Sequence, residues 1–188
     1  MAPTRFQPTS FYERLRHLAP YGEEPNRELF AEWYPRVKEQ LANVPADVAE
    51  HWLHRHWGHS PFYFLPLETM RFSQVQWSRR ELDEVRFTER WGNTPNWHDA
   101  LVAAPEKHGG NWLFRHMASA GTWPAPIIVL DNAWGLVDPM FASPLPRLVL
   151  VEGHRRLEYI RAFFTMGKAM PQHSVWLAQV PGVSGHLP

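Results

Sequence analysis

The sequence predicts an α+β fold: a small mixed β-sheet with an enlarged N-terminal helical layer. Three observations predict it. The apolar run Leu148-Val149-Leu150-Val151 is strand-like, breaks at Gly153 and continues as a helix whose face is Leu157, Ile160, Phe163 and Phe164. A second run, Ile127 to Leu130, is short and β-branched, as a buried strand requires. The long stretch between Leu67 and Ile127 instead carries helix-opening and helix-closing signals.

Residues Met1 to Pro25 hold four prolines and scattered aromatics without a sustained period, which reads as an arm packed irregularly. A helical stripe begins at Asn26 with Leu29, Phe30, Trp33, Val37 and Leu41. Pro35 lacks an amide donor, so a kink there or a division into two short helices is expected. From Ala46 to Trp57, the residues Val48, Ala49, Trp52, Leu53, His56 and Trp57 fall on one helical face, and Gly58 is the stop. Phe62 to Leu67 reads as the first strand.

Ser78-Arg79-Arg80-Glu81 has the form of a capping box opening a helix through Arg90, and Thr94-Pro95 that of a cap with a first-turn proline. A third helical piece, Asn111 to Ala120, ends at Gly121. After the strand Ile127 to Leu130, the stretch Asp131 to Arg147 is too rich in Pro and Gly for a regular element. The chain closes with a strand-helix-strand unit: Leu148 to Val151, His154 to Met166 with Gly167 behind it, and Ser174 to Val180. Residues 1–60 therefore read as an arm and helical extension packed on the core, and 61–188 as the main domain, the whole expected to form one compact globular unit.

The chemistry concentrates at Glu152-Gly153-His154-Arg155-Arg156. A helix start leaves backbone N–H groups without partners and carries the positive end of the helix dipole, so it attracts anions. Two arginines in a first turn oppose that dipole, an odd choice for stability alone and a sensible one for holding phosphate. Neighbours on a helix point about 100° apart, so one arginine is expected to face the ligand and the other to pair within the fold, with Glu152 or Glu158. Beside bound phosphate, His154 can donate a hydrogen bond or transfer a proton near neutral pH. Glu152 can serve as an ion-pair partner or as a ligand to Mg²⁺. The phosphate-binding candidates are Gly153, His154, Arg155 and Arg156, and the catalytic candidates His154 and Glu152.

From Val149 to Arg156 the chain resembles the ParB/sulfiredoxin-like superfamily, whose members carry an acidic-Gly-(Glu/His)-(Arg/His)-Arg signature between a core strand and the following helix. Many members have aspartate where this chain has Glu152. The resemblance extends to Phe62–Leu67, Ile127–Leu130 and His173–Val180 as family strands. It implies a stand-alone domain binding a nucleotide or another phosphorylated small molecule, with ATP or CTP plus Mg²⁺ as the implied cofactor. It further implies NTP hydrolysis, phosphotransfer or nuclease action as candidate activities.

Composition narrows these expectations. The chain has no cysteine, which excludes the thiol chemistry of sulfiredoxins. Only 32 residues follow Arg156 (188 minus 156), which leaves no room for the helix-turn-helix DNA reader of partition proteins. Net charge is zero and the pI about 7.2, so there is no broad basic surface for nucleic acid. Contact with DNA or RNA through Arg55, Arg71, Arg79, Arg80, Arg155 and Arg156 stays as an unfavoured alternative. No apolar run approaches the roughly 20 residues of a membrane span, and the N-terminus lacks the apolar core of a signal peptide, so a cytoplasmic protein without a membrane partner is expected.

A different class of reading starts from the ten tryptophans. A non-catalytic interaction module on the same fold would dock a partner through the aromatic N-terminal region and would expose tryptophans in one patch instead of burying them. The cluster His51, His54, His56, His59 invites a metal, but helical geometry spreads its imidazoles around the axis and favours surface and core-edge roles. His108-Gly109-Gly110-Asn111 could present amides to a second anion, but a glycine pair without lysine or a longer pattern favours a plain loop before a helix. Gly182-Val183-Ser184-Gly185-His186 lacks the spacing of a nucleophile elbow and is assigned no chemistry.

Overall fold

The structure, a computed structural model, describes residues 10–88 and 96–181. It is α+β, as expected, and its described residues divide into two compact units. The first comprises the described residues of Met1–Phe72, Asn132–Leu145 and Gln179–Pro188; the second is Ser73–Asp131 with Pro146–Ala178. The boundary expected at residue 60 falls inside the first unit.

In the first unit, helix α1 (Phe11–Arg14) opens at Ser10, whose hydroxyl accepts the Tyr12 N–H. Phe11 is fully buried, so the arm is anchored from this point on. Helix α2 (Phe30–Val37) starts four residues later than the stripe suggested. It is one helix and is not divided at Pro35, because that proline sits in the last turn, where a single amide bond is lost. Helix α3 (Ala46–Val48) runs directly into a π-helical segment, Ala49–His54, and Gly58 ends the region with φ +81°.

The core of this unit is aromatic. Trp33 and Trp52 are buried, and each indole finds a partner: Trp33 donates to the Leu18 carbonyl at 2.6 Å and Trp52 to the Ser60 hydroxyl at 2.9 Å. The Tyr12 hydroxyl accepts the Ser60 N–H at 2.9 Å, and burial pushes its pKa up to about 12. Phe62–Leu67 is not a strand, correcting the expectation. Pro61 and Pro66 interrupt any ladder, and the segment turns while burying Phe62, Phe64, Leu65 and Leu67.

The first strand is instead β1 (Arg71–Trp77), whose inner residues Val75 and Trp77 pack on the core of the second unit. With β2 (Ile127–Asp131), β5 (Leu148–Glu152) and β6 (His173–Gln179) it forms a four-stranded sheet in the order β1-β6-β2-β5. Strands β2 and β5 pair antiparallel, while Arg86 bridges the other edge of β5 in parallel, which makes the sheet mixed. Two further short strands, β3 (Val137–Asp138) and β4 (Ser143–Pro144), form a hairpin where only irregular chain was expected.

Helix α4 (Arg79–Glu84) has the expected capping box, with the Ser78 N–H donating to Glu81 at 2.9 Å. It stops at Glu84 and does not continue through Arg90, because the backbone of Arg86 is taken by β5. Arg86 donates to Leu148 and accepts from Leu150, both at 2.9 Å. Thr94 and Pro95, expected to open the next helix, lie outside the described residues. Helix α5 (Trp97–Ala103) begins behind Asn96, which accepts the Asp99 N–H.

Helix α6 (Trp112–Ala120) is capped by Asn111 and closed by the left-handed Gly121. Helix α7 (His154–Thr165) is the hub of this unit: α4, α5 and α6 all pack against it. Its inward residues Leu157, Tyr159, Ile160 and Phe163 join Ile127, Val129, Leu150 and Val175 of the sheet in one core. Among the described residues no helix is long and apolar enough to cross a membrane.

One buried histidine fixes a pH response. His173 lies between Trp123 and Phe164, with Nε2 donating to the Met170 carbonyl at 2.9 Å and Nδ1 facing the Thr122 hydroxyl at 2.8 Å. Burial holds its pKa below the usual histidine range. The folded protein therefore keeps this imidazole neutral while the unfolded chain protonates it, so stability is lost as pH falls below about 6.5. Glu81, held at about 2 by Ser78 and Arg80, acts only at still lower pH. Thermal melts are expected to show a falling midpoint between pH 7.5 and 5.5, with the fall reduced in His173→Gln.

Candidate functional site

The Glu152–Arg156 turn is placed by β5 on one side and α7 on the other. Pairing of β2 with β5 runs Val129↔Leu150 and then Ile128↔Glu152, an irregularity that leaves Val151 extra on β5 and sets Glu152 opposite Ile128. Gly153 follows with φ +108°, a conformation that opposes any side chain. A Cβ there would also meet Ile127 Cγ2 at 2.6 Å, so glycine permits the close approach of this turn to β2.

The two arginines divide as expected, one inward and one outward. Arg156 is buried and ion-paired to Glu152; its Nη1 also donates to the carbonyls of Ala125 at 2.6 Å and Pro126 at 3.1 Å. Its guanidinium thus ties α7 to the end of β5 and to the chain entering β2. Arg155 points outward, with its guanidinium 4.9 Å from the centre of the Trp97 ring, a cation–π contact.

His154 stacks on Phe87 at 5.2 Å and 17° between ring planes. The N-terminus of α7 has no side-chain cap and no acid in its first turn. Among the described residues, the charge exposed at this end is therefore Arg155 together with the helix dipole, the Arg156 charge being balanced by Glu152.

No protein-family model matches the chain, and comparisons with curated proteins and with solved structures returned no match.

One turn further along α7, Glu158 pairs with Arg161 at 3.4 Å and accepts the His98 N–H at 3.4 Å. Arg161 also donates to the carbonyls of Leu82 and Val85, at 2.8 and 2.7 Å, and its burial lowers its pKa. The Tyr159 hydroxyl lies 3.4 Å from His108 Nδ1, and burial raises its pKa against the opposing charge of Arg155.

An arrangement invisible in the sequence links α5 to α7. His98 Nδ1 lies 2.8 Å from an Asp99 carboxylate oxygen and His98 Nε2 lies 3.3 Å from the Thr165 hydroxyl. The order carboxylate, imidazole, hydroxyl resembles a nucleophile relay, but Thr165 donates its proton to the Arg161 carbonyl at 3.2 Å and the group lies on an exposed face. Sixty-seven positions separate His98 from Thr165, so no local signal could have paired them.

The remaining candidates resolve into structural roles. His54 Nε2 meets the Glu28 carbonyl at 2.7 Å and its ring packs on Trp33, while His59 Nδ1 meets the Trp57 carbonyl at 3.0 Å. Among the described residues no group of three or more His, Cys, Asp or Glu is placed to hold a metal. Asn111 caps α6, and Arg115 donates to the carbonyls of Gly109 and Gly110, both at 3.0 Å, so the glycine pair forms a tied loop. Arg79 pairs with Asp83 and Arg80 with Glu81, which neutralises part of the candidate basic surface. Gly182 to His186 lie outside the described residues.

The division of labour between the arginines is measurable by chemical denaturation. Arg156→Ala is expected to destabilise by about 3–5 kcal/mol, since it leaves the half-buried Glu152 carboxylate and two carbonyls without the guanidinium. Arg155→Ala removes only an exposed cation–π contact and is expected to stay within about 1 kcal/mol of wild type.

Proposed function

We propose that this protein contains a ParB/sulfiredoxin-like domain that binds a nucleotide or another phosphorylated small molecule at the N-terminus of α7. The observation that carries the reading is the start of this twelve-residue helix: no side chain caps it, no acid stands in its first turn, and Arg155 is exposed beside it. Backbone N–H groups of a first turn are directed along the helix axis, so a phosphate there collects both those donors and the dipole. Arg155 adds the charge-assisted contact, and Trp97 holds its guanidinium in place from one side.

His154 supplies the third element. Stacked on Phe87, its ring is oriented, and an imidazole so placed donates a hydrogen bond to a phosphate oxygen when protonated. Arg156 supports the site without touching the ligand, by fixing the turn.

Mg²⁺ does not fit the acid of this turn. The Glu152 carboxylate is already paired with Arg156 and would have to give up that partner to receive the ion. With that carboxylate occupied, the turn offers a phosphate its backbone donors and Arg155 without an acidic metal ligand of its own. A hydrolysis or phosphotransfer activity on the same site would rest on His154 as its proton donor.

Thermal unfolding in the presence of ATP, CTP, other nucleotides and inorganic phosphate tests the reading. A ligand present at 100 times its Kd adds about 2.7 kcal/mol, a midpoint rise of several degrees for a chain of this size. The expected result is such a rise for at least one phosphorylated ligand and its loss in Arg155→Ala. Absence of a rise for every ligand at millimolar concentration would make the turn purely structural.

A further inference from the structure

The outward face of α6 combines an exposed indole with cationic groups. Leu113 and Met117 turn into the core of the second unit, which leaves Trp112, Arg115, His116 and Ser119 exposed at the i, i+3, i+4, i+7 spacing of one helix face. Trp112 is 62% exposed, in contrast to the buried Trp33 and Trp52. No aspartate or glutamate occurs from Lys107 to Leu130, although the acids and bases of the whole chain balance.

Elsewhere in this unit the arginines are neutralised. Arg79, Arg80, Arg156 and Arg161 each pair with a carboxylate. Among the described residues neither Arg115 nor Lys107 has such a partner. Arg115 instead donates Nη1 to the carbonyls of Gly109 and Gly110, both at 3.0 Å, which fixes its charge at the turn leading into Trp112 without cancelling it. Lys107 is exposed in the short helical piece Pro105–His108 just before the same turn. A guanidinium already fixed in this way loses little side-chain freedom on contact.

We propose that this face binds single-stranded nucleic acid, with a base stacked on Trp112 and backbone phosphates held by Arg115 and Lys107. Two observations select that occupant. The local charge is of one sign, which complements a phosphate backbone even though the net charge of the chain is zero. The one large apolar side chain on the face is a flat π surface with polar neighbours, so it suits the stacking of a base and offers little to a partner that docks by burying apolar area. From Trp112 to Ser119 the face runs about 10 Å along the helix, room for about three stacked bases. It is a different site from the start of α7 and does not depend on the phosphate reading there.

Fluorescence anisotropy of a short labelled oligothymidine, titrated with the full chain at several salt concentrations, tests the inference. Binding is expected at low ionic strength and is expected to fall with a log–log salt slope of about −1.4, from about −0.7 for each of two phosphates on a single strand. Trp112→Ala is expected to weaken it about fivefold or more, the loss of one base stack. Lys107→Gln is expected to reduce the steepness of the slope by about 0.7. Trp134→Ala, which removes the exposed indole of the first unit, and Arg155→Ala are expected to change neither affinity nor slope. All four side chains are exposed, so the variants are expected to melt with wild type, which a thermal scan checks. Absence of binding at low salt overturns the inference. Affinity unchanged in Trp112→Ala overturns it too and assigns the face to polyanions in general. Binding lost in Arg155→Ala would move the strand to the start of α7 and overturn it equally.

Discussion

The ion pair between Arg156 and Glu152 is the constraint around which the second unit is organised. One guanidinium reaches a carboxylate at the end of β5 and two carbonyls ahead of β2, while its own backbone lies in the first turn of α7. Three chain segments converge on a single planar group with fixed donor directions. Arginine suits this because its fork satisfies several acceptors at once and does not lose its charge on burial. Removing the charge would leave its partners desolvated, so the pair holds the local geometry even if it adds little net stability over an apolar contact.

That constraint also decides the electrostatics of the neighbouring surface. Because the Glu152 charge is paired with Arg156, the helix start is left positive through its dipole and, among the described residues, Arg155. Gly153 completes the arrangement by letting the turn lie against Ile127, which no side chain at that position would allow. The same residues that close the strand-to-helix turn thereby leave a positive helix start at the surface, so the stability of the turn and the electrostatics beside it are set by one group of contacts.

The first unit solves a different problem. Its prolines forbid long ladders and long helices, so it is held by large aromatics whose polar edges are each given a partner: Trp33 by Leu18, Trp52 by Ser60, Tyr12 by Ser60. The buried tryptophans in the segment before the sheet argue against that region as a docking face, and the exposed indole of this unit lies in the hairpin at Trp134. There the polar residues are consumed internally by Asn132 and Asp138, which turns the apolar ones outward.

By itself the sequence determined the elements whose signals are local. The capping box at Ser78, the Asn111 to Gly121 helix and the β5, α7, β6 succession all follow from periodicity and terminal residues a few positions apart. It also determined that only one of two adjacent arginines could face outward, because helix geometry separates neighbours by about 100°. What only the tertiary structure decided depended on distant partners. Phe62–Leu67 has strand composition but is buried in turns, whereas the more polar Arg71–Trp77 became a strand because a sheet edge accepts exposed residues. Helix α4 ended early because β5 claimed the Arg86 backbone. Arg156 turned inward because the carbonyls of Ala125 and Pro126, some thirty positions earlier, were there to receive it. Local propensity fixes what a segment can be, and the polar groups brought to it by folding fix which of those it becomes.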